Sequence, residues 1–150
     1  MGLDMYLEGT LYTFKDDKLH KKLSKTVSEL VKGYKPSKGI DGIQLTFAVG
    51  YWRKANAIHQ WFVENVQDGE DECERTYVTR EQLKELRAVC KAVLDDNTIA
   101  QEKLPTTKGF FFGSVDYDEW YFEDLRHTIE VVDYALSLPK EVVLYYQSSW

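Results

Sequence analysis

The first half of the chain carries two stretches in which apolar and polar residues alternate. Apolar side chains take every second position between Leu3 and Leu7, with polar or amphipathic ones between them. Because successive side chains of a strand point to opposite faces, this pattern predicts a half-buried strand near the N-terminus, which Gly9 bends or ends. A second alternation, from Ile43 to Val49, predicts the clearest strand of the chain. The β-branched and aromatic run from Val142 to Tyr146 predicts a closing strand.

Four other segments repeat apolar residues at intervals of three and four, which is the spacing of one helix face. The predicted helices run from Asp17 to Gly33, from Trp52 to about Val66, from about Arg80 onward, and from the region of Asp116 and Glu119 to Pro139. A capping box formed by Thr79 and Gln82 marks the start of the third helix. Cys90 lies in the apolar stripe of that helix, which predicts a buried structural thiol.

Together these elements predict an α+β domain over residues 1–150, with a small, mainly antiparallel sheet packed with about four helices. The chain lacks the repeated strand–helix alternation of a doubly wound fold. Its 150 residues and 43% hydrophobic content suit one globular domain, which buries about two thirds of the surface that the unfolded chain exposes.

Composition narrows the setting in which the chain works. Cys73 and Cys90 lack the spacing of a metal or disulfide framework, and no signal-type apolar segment precedes the body of the chain. No apolar run approaches the ~20 residues that span a bilayer. We therefore expect a cytoplasmic protein with reduced cysteines, no cofactor and no membrane association.

The net charge of −6 argues against a duplex-binding surface, which requires a dense basic face. The charge is uneven, however. Lysines dominate from Lys15 to Lys38, whereas carboxylates dominate from Glu64 to Glu74 and from Asp116 to Asp133. A solvated helix face is the favoured explanation of the lysines. Nucleic-acid association through this lysine-rich helix is the weaker alternative.

The predicted helix from Trp52 holds the main candidate chemistry. On its projection His59 lies one turn from Asn56, at the border between the apolar and polar faces. His59 could act as a general acid or base with Asn56 fixing its tautomer, while Arg53 and Lys54 in the first turn would bind an anion. The favoured alternative is a histidine that packs on Trp52 and bonds a backbone carbonyl, because no nucleophile or paired carboxylate accompanies it.

Other polar clusters carry weaker signals. Asp116 and Asp118 could hold magnesium if the fold supplied another oxygen donor, but helix capping explains them equally well. The acidic segment 68–72 lacks the spacing of a calcium loop and is expected to be a solvated loop. His20 and His127 lie among charged residues and are expected at the surface. No metal site is predicted.

The late aromatic residues suggest a contact surface, because they cannot all be assumed to fit one core. They are Tyr117, Trp120, Tyr134, Tyr146 and Trp150. Tyrosine and tryptophan are enriched in interface hot spots. Trp52, Trp120 and Trp150 are therefore candidate partner-binding residues. For Trp150 an equally good alternative remains, in which the C-terminal tail tucks its indole into the core.

Four segments resemble a family of hypothetical proteins from bacteriophages and bacterial genomes. They are the opening Met-Gly-Leu-Asp-Met-Tyr-Leu, the block from Tyr51 to Gly69, Gly109–Ser114 with Tyr117-Asp-Glu, and the ending Tyr145–Trp150. The resemblance spans nearly the whole chain and covers the region from Asp16 to Gly42 least. It implies a phage or prophage setting but no activity and no site residue.

Small acidic phage proteins often bind and inhibit host factors, an association that favours an interaction protein. The leading hypothesis is a non-enzymatic protein that binds a host protein, as an inhibitor of host defence would, through the helix Trp52–Asn65 and the C-terminal aromatic residues. The second is a protein that binds or hydrolyses a small, nucleotide-like anion in a pocket around His59.

Overall fold

The computed structural model describes residues 2–36, residue 39 and residues 42–150. The strands are β1 (Asp4–Phe14), β2 (Gly42–Arg53), β3 (Thr76–Val78) and β4 (Val143–Ser149). The helices are α1 (Lys18–Leu30), α2 (Asn56–Val66), α3 (Arg80–Asp95), α4 (Ala100–Lys103) and α5 (Glu119–Ser137), with a short 3-10 turn at Asn97–Ile99. All strand pairs are antiparallel and the order is β2-β1-β4-β3, so the predicted α+β fold is confirmed.

β1 is a central strand that pairs with β2 over its whole length and with β4 from Asp4 to Thr10. The β1–β2 register jumps between Leu7 and Glu8, which leaves Val49 as the extra residue of a β-bulge. β1 continues through Gly9 to Phe14, so the strand does not end there. A Cβ at Gly9 would lie 2.8 Å from the Phe47 ring, which explains why the strand has a glycine there.

The core lies on one side of the sheet. Met5 and Leu7 of β1 face Trp52 of β2 and Tyr146 of β4 on this side, and all four are buried. Helices α2, α3 and α5 supply the opposing apolar layer, which includes Phe62 stacked on Tyr146 with ring centroids 3.9 Å apart. The sheet therefore has one covered face and one face without helices.

The predicted helix start at Trp52 was wrong, because the strand alternation continues past the bulge. Trp52 and Arg53 pair with Met5 and Asp4 and belong to β2. Lys54 then takes a left-handed conformation with φ of 60°, and the amide of Asn56 donates to its carbonyl, so α2 begins at Asn56. Trp52 is 2% exposed and donates its indole N–H to Thr128, which removes it from any contact surface.

Two local predictions about α3 are confirmed. Thr79 accepts from the amide of Gln82 at 3.1 Å, and the Gln82 side chain accepts from the amide of Thr79 at 2.9 Å, as a capping box requires. Cys90 is buried in the helix–helix layer, and burial raises the pKa of its thiol to about 12. The thiol is therefore inert at neutral pH.

The other helix and loop boundaries differ modestly from expectation. Helix α1 ends at Leu30, before Gly33, and the predicted lysine-rich segment continues to Lys38, which lies outside the described residues. The short strand β3 was not predicted, because three residues carry too little periodicity. In the part of the chain that the structure describes, no helix combines the length and apolar composition needed to cross a bilayer.

Candidate functional site

His59 lies in the interior of the protein, not at the border of a helix face. Its side chain is 0% exposed. Its Nδ1 lies 2.7 Å from the hydroxyl of Tyr146, and its Nε2 lies 2.9 Å from a carboxylate oxygen of Asp71. Because a carboxylate only accepts hydrogen bonds, the neutral imidazole carries its proton on Nε2, and Nδ1 then accepts from the Tyr146 hydroxyl. The second oxygen of Asp71 accepts from the Trp150 indole N–H at 3.1 Å.

These four side chains form one line of hydrogen bonds from β4 through α2 and the acidic loop to the C-terminal residue. Burial raises the pKa of Tyr146 well above its ordinary value, so its hydroxyl remains a donor. The enclosed imidazole has no route to a substrate, which argues against the general acid or base role considered for His59. The favoured alternative, a histidine that packs on Trp52 and bonds a backbone carbonyl, was wrong in its partners. The ring bonds two side chains and packs edge-on to Phe112.

Asn56 does not fix the tautomer of His59. Its amide nitrogen donates to the carbonyls of Phe112 and Ser114, at 3.0 and 2.7 Å, and its oxygen accepts from the amide of Thr107 at 2.9 Å. The side chain is buried, with both of its functional ends engaged. It therefore pins the segment 107–114 to the start of α2 and is not free to bind a ligand.

A cleft of about 300 Å³ lies between the N-terminal ends of α2 and α5. Arg53 and Lys54 line it together with Asn56, so three of the four residues predicted to bind a ligand lie together, and His59 does not join them. Neither Arg53 nor Lys54 forms an ion pair within the described ranges. An added Cβ at Gly113 would lie 3.1 Å from Lys54 Cβ, so the glycine leaves room for the lysine stem.

The two helix ends that meet at the cleft differ in their capping. Asp118 caps α5 by accepting from the amide of Tyr121 at 3.1 Å, whereas no side chain caps α2. Ala57 and Ile58 of the first turn of α2 line the cleft. Amides in a first turn lack acceptors within their own helix, so this end favours negative charge.

Three carboxylates line the cleft beside the two cations. Asp118 caps α5, as the sequence allowed, whereas Asp116 accepts from the Ser114 hydroxyl at 3.0 Å and does not cap the helix. Asp124 lies deeper. Within residues 2–36, 39 and 42–150 there is no group of three or more His, Cys, Asp or Glu side chains placed to hold a metal ion.

Asp124 has a markedly shifted pKa. Burial raises the pKa of its carboxyl from 3.8 to about 6, the nearby charge of His127 opposes that shift, and the charges of Asp118 and Glu123 add to it. His127 itself is half-buried and bonded to the carbonyl of Tyr51 at 2.8 Å. His20 is buried against Thr13 and Ser24. The expectation that both histidines lie at the surface was wrong for His20, whereas His127 is partly exposed.

The open face of the sheet is the feature that sequence reasoning missed. Five tyrosines occupy the strand positions that alternate with core residues, and we call this surface the tyrosine face. Its tyrosines are Tyr6, Tyr12, Tyr51, Tyr77 and Tyr145. Four of them are 38–55% exposed. Their spacing in β1, where Tyr6 and Tyr12 alternate with core positions, was the available signal.

Contacts between neighbouring strands order the tyrosine face. The rings of Tyr6 and Tyr51 lie 5.4 Å apart, and the hydroxyls of Tyr12 and Tyr145 are 2.9 Å apart. The Arg75 guanidinium lies 3.7 Å from the centre of the Tyr145 ring and is paired with Glu8 at 2.8 Å. These contacts hold the tyrosines in two clusters, Tyr6 with Tyr51 and Tyr12 with Tyr145, and the Arg75–Glu8 pair lies beside the second.

The predicted tryptophans are divided between surface and interior. Trp120 is 80% exposed at the rim of the cleft, and Trp150 is 47% exposed with its indole N–H held by Asp71 and its ring against Phe112. Trp150 is therefore tied down and half open. The acidic loop is not simply solvated, because Asp71 takes part in the buried hydrogen-bond line.

Comparison of the chain with protein-family models, with curated proteins and with solved structures gives no match. Three features of the molecule are therefore the candidates for a function: the buried hydrogen-bond line, the cleft and the tyrosine face. Of these, only the cleft and the tyrosine face are open to a partner or ligand.

If His59 is structural, its removal will destabilise the protein. His59→Ala leaves the Tyr146 hydroxyl and Asp71 without their partner, and we expect the free energy of unfolding to fall by about 2–4 kcal/mol. Tyr146→Phe removes one hydrogen bond and should lower it by about 1–3 kcal/mol. Urea denaturation of both variants and of the double variant measures the coupling. Strictly additive losses, or a stable His59→Ala protein, would contradict this role.

The raised pKa of Asp124 predicts a dependence of stability on pH. Between pH 4 and 6 the folded protein holds a proton on Asp124 that the unfolded chain releases, so the free energy of unfolding falls as pH rises through this window. Asp124→Asn should remove that fall and stabilise the protein at pH 7 by about 1 kcal/mol, since partial exposure screens much of the effect. Glu130→Gln, which removes an exposed carboxylate of the same helix that does not contribute to the shift, is the control and should keep the pH dependence. Unchanged pH dependence in Asp124→Asn would refute the assignment.

Proposed function

We propose that the protein is a non-enzymatic binding protein and that the tyrosine face is its contact surface for a protein partner. The observation that carries the proposal is the one-sided sheet, in which the face opposite α2, α3 and α5 is uncovered and bears five tyrosines. The predicted contact helix, Trp52–Asn65, cannot take this role, because most of α2 is buried.

Tyrosine suits a contact surface for physical reasons. Each side chain offers a large apolar ring with a polar tip and loses little conformational freedom when it is held. On this protein the rings form two pairs across neighbouring strands, Tyr6 with Tyr51 at 5.4 Å and Tyr77 with Tyr145 at 6.3 Å between ring centroids. A partner would therefore meet an ordered surface, and binding would cost less entropy than it would with mobile side chains.

The charges on the tyrosine face favour a protein partner over a nucleic acid. Stacking rings could receive the bases of a single strand, but the phosphates would need a basic groove beside them. Arg75, which lies in the middle of the face, is already paired with Glu8. Asp4 adds a further carboxylate, hydrogen-bonded to the hydroxyl of Tyr51.

The resemblance to phage and prophage proteins supports a partner from the bacterial host. In that setting we place the protein in the host cytoplasm, where it binds a host protein and inhibits it. An inhibitor needs an ordered contact surface but no catalytic group, which agrees with the enclosed His59 and the inert Cys90.

The proposal predicts that serine substitutions on the tyrosine face abolish partner binding without unfolding the protein. The immobilised chain would capture its partner from a lysate of the bacterial host, and calorimetry with that purified partner would give the affinity. For the triple variant Tyr6→Ser, Tyr51→Ser, Tyr77→Ser we expect a loss of at least about 30-fold, the effect of one lost hot spot.

A matched control removes three exposed aromatic side chains from elsewhere, through Phe110→Ser, Trp120→Ser and Tyr134→Ser. It should bind as the unmodified protein does. Equal losses in both triple variants would contradict the assignment of the surface. If the protein captures RNA or DNA instead of a protein, and the tyrosine variant does not, the partner of the tyrosine face is a nucleic acid.

The cleft supports a second candidate function, the binding of a small, nucleotide-like anion. The specific observation is that the unpaired Arg53 and Lys54 flank the uncapped end of α2 in a cavity of about 300 Å³, at the lower end of the range for ligand pockets. The exposed Trp120 ring at the rim could stack on a planar base.

Calorimetry with inorganic phosphate and with adenosine monophosphate tests this candidate. We expect the nucleotide to bind and the variant Lys54→Gln to bind it about tenfold more weakly, because one charge-assisted contact is lost. Lys84→Gln, which lies on α3 and pairs with Glu81, is the control. If neither anion binds, or if both variants lose affinity equally, the cleft is not an anion site.

A further inference from the structure

The β1–β2 strand pair extends beyond the rest of the sheet, and few of its residues are buried there. β1 pairs with β2 as far as Phe14 and Gly42, whereas its pairing with β4 stops at Thr10. Helix α1 packs on this strand pair, yet only His20 of the helix is buried. No residue from Gly42 to Ala48 is buried. Apolar side chains remain exposed there: Phe14, Leu19, Leu30, Val31 and Leu45.

β2 forms an open edge of the sheet from Gly42 to Ala48. It has 12 residues, and its outer side pairs with no strand within the described ranges. Proteins protect such edges with charges, prolines, β-bulges or a covering helix. Farther along β2 the edge has such protection, from the bulge at Val49 and from α5, whose His127 bonds the carbonyl of Tyr51. From Gly42 to Ala48 there is neither charge nor proline, so the outer backbone groups of this stretch can pair with an extended segment of another chain.

The charge around the β1–β2 strand pair indicates which kind of segment from another chain would bind there. Residues 15–35 hold seven lysines and three carboxylates, a net charge of +4 in a chain whose remaining residues carry −10. All seven lysines are exposed, and none forms an ion pair with another described residue. Unpaired lysines on the helix that packs against an open strand favour a negatively charged neighbour.

We propose that β2 binds an extended, acidic segment of a partner protein as an added strand and that the lysines of α1 bind its carboxylates. A second copy of this chain fits less well, because pairing β2 with β2 would place two lysine-rich helices of like charge near each other. The proposal shares with the proposed function only the premise that the partner is a protein, and it concerns the edge of β2 from Gly42 to Ala48, which carries none of the five tyrosines.

The test uses three capped synthetic peptides. The acidic probe is Glu-Val-Glu-Thr-Glu-Val-Glu, the basic probe has lysine in place of each glutamate, and the blocked probe is the acidic one with alternate backbone nitrogens methylated. Fluorescence anisotropy of labelled probes gives affinities at low salt, and amide chemical shifts locate the binding. We expect only the acidic probe to bind well, with shifts in Ile43–Val49, and the other two to bind at least ten times more weakly.

Charge reversal of α1 provides the matched variants. Lys21→Glu, Lys22→Glu and Lys25→Glu together should weaken the acidic probe about tenfold, from the loss of three exposed ion pairs. The control triple, Lys84→Glu, Lys91→Glu and Lys103→Glu, alters lysines that are already ion-paired and should keep the affinity. Circular dichroism of each variant checks that it is folded.

Several results would overturn the proposal. They are no binding of the acidic probe, equal binding of the basic or blocked probe, shifts away from β2, and a dimer in sedimentation whose interface is β2. The double variant Tyr6→Ser, Tyr77→Ser, which leaves Tyr51 of β2 in place, separates the two proposals. It should keep its affinity for the acidic probe even if the tyrosine face proves to bind nothing, and loss of the probe in that variant would show that the two surfaces are not separate.

Discussion

The antiparallel pairing of β1 with both β2 and β4 is the constraint on which the rest of the structure depends. It assigns every strand residue to one of two faces, because neighbours across the ladder share a face and successive residues do not. Met5 and Leu7 then anchor the core beneath α2, α3 and α5. The same alternation sends Tyr6 and Tyr12 to the uncovered side, so the core and the tyrosine face are two results of one register.

The buried polar side chains of two hydrogen-bond networks stabilise the fold, and their polar atoms are bonded within the protein. Tyr146, His59, Asp71 and Trp150 satisfy one another in a line that joins β4, α2 and the acidic loop. Asn56 similarly holds three backbone groups of the segment 107–114. A buried polar group that is fully hydrogen-bonded stabilises a specific arrangement, but it offers nothing to a substrate. These buried polar groups are therefore accounted for by the fold, and the proposed binding would use exposed surfaces.

The sequence predicted the fold class and most elements, and it failed where tertiary contacts decide. The Thr79–Gln82 capping box is local chemistry and was found, whereas Trp52 continues a strand because β1 lies beside it, which helical periodicity cannot show. His59 and Asn56 stood out as unusual polar residues, but their partners are up to 87 residues away in the chain. Arg53 and Lys54 line the cleft, but they lie at the end of β2 and just after it, not in the predicted first turn of a helix. Of the tyrosines on the open face, Tyr6 passed as an ordinary amphipathic position of its strand.

Site-resolved nitration of tyrosines, read by peptide mass spectrometry in the free protein and in its complex with a captured host protein, tests the central claim most directly. The account predicts that Tyr6, Tyr51 and Tyr77 react in the free protein and are protected in the complex, while Tyr134 on α5, which is equally exposed, reacts in both. Protection of Tyr134 with continued reaction of the other three would contradict the account, since the contact surface would then lie on the helical side.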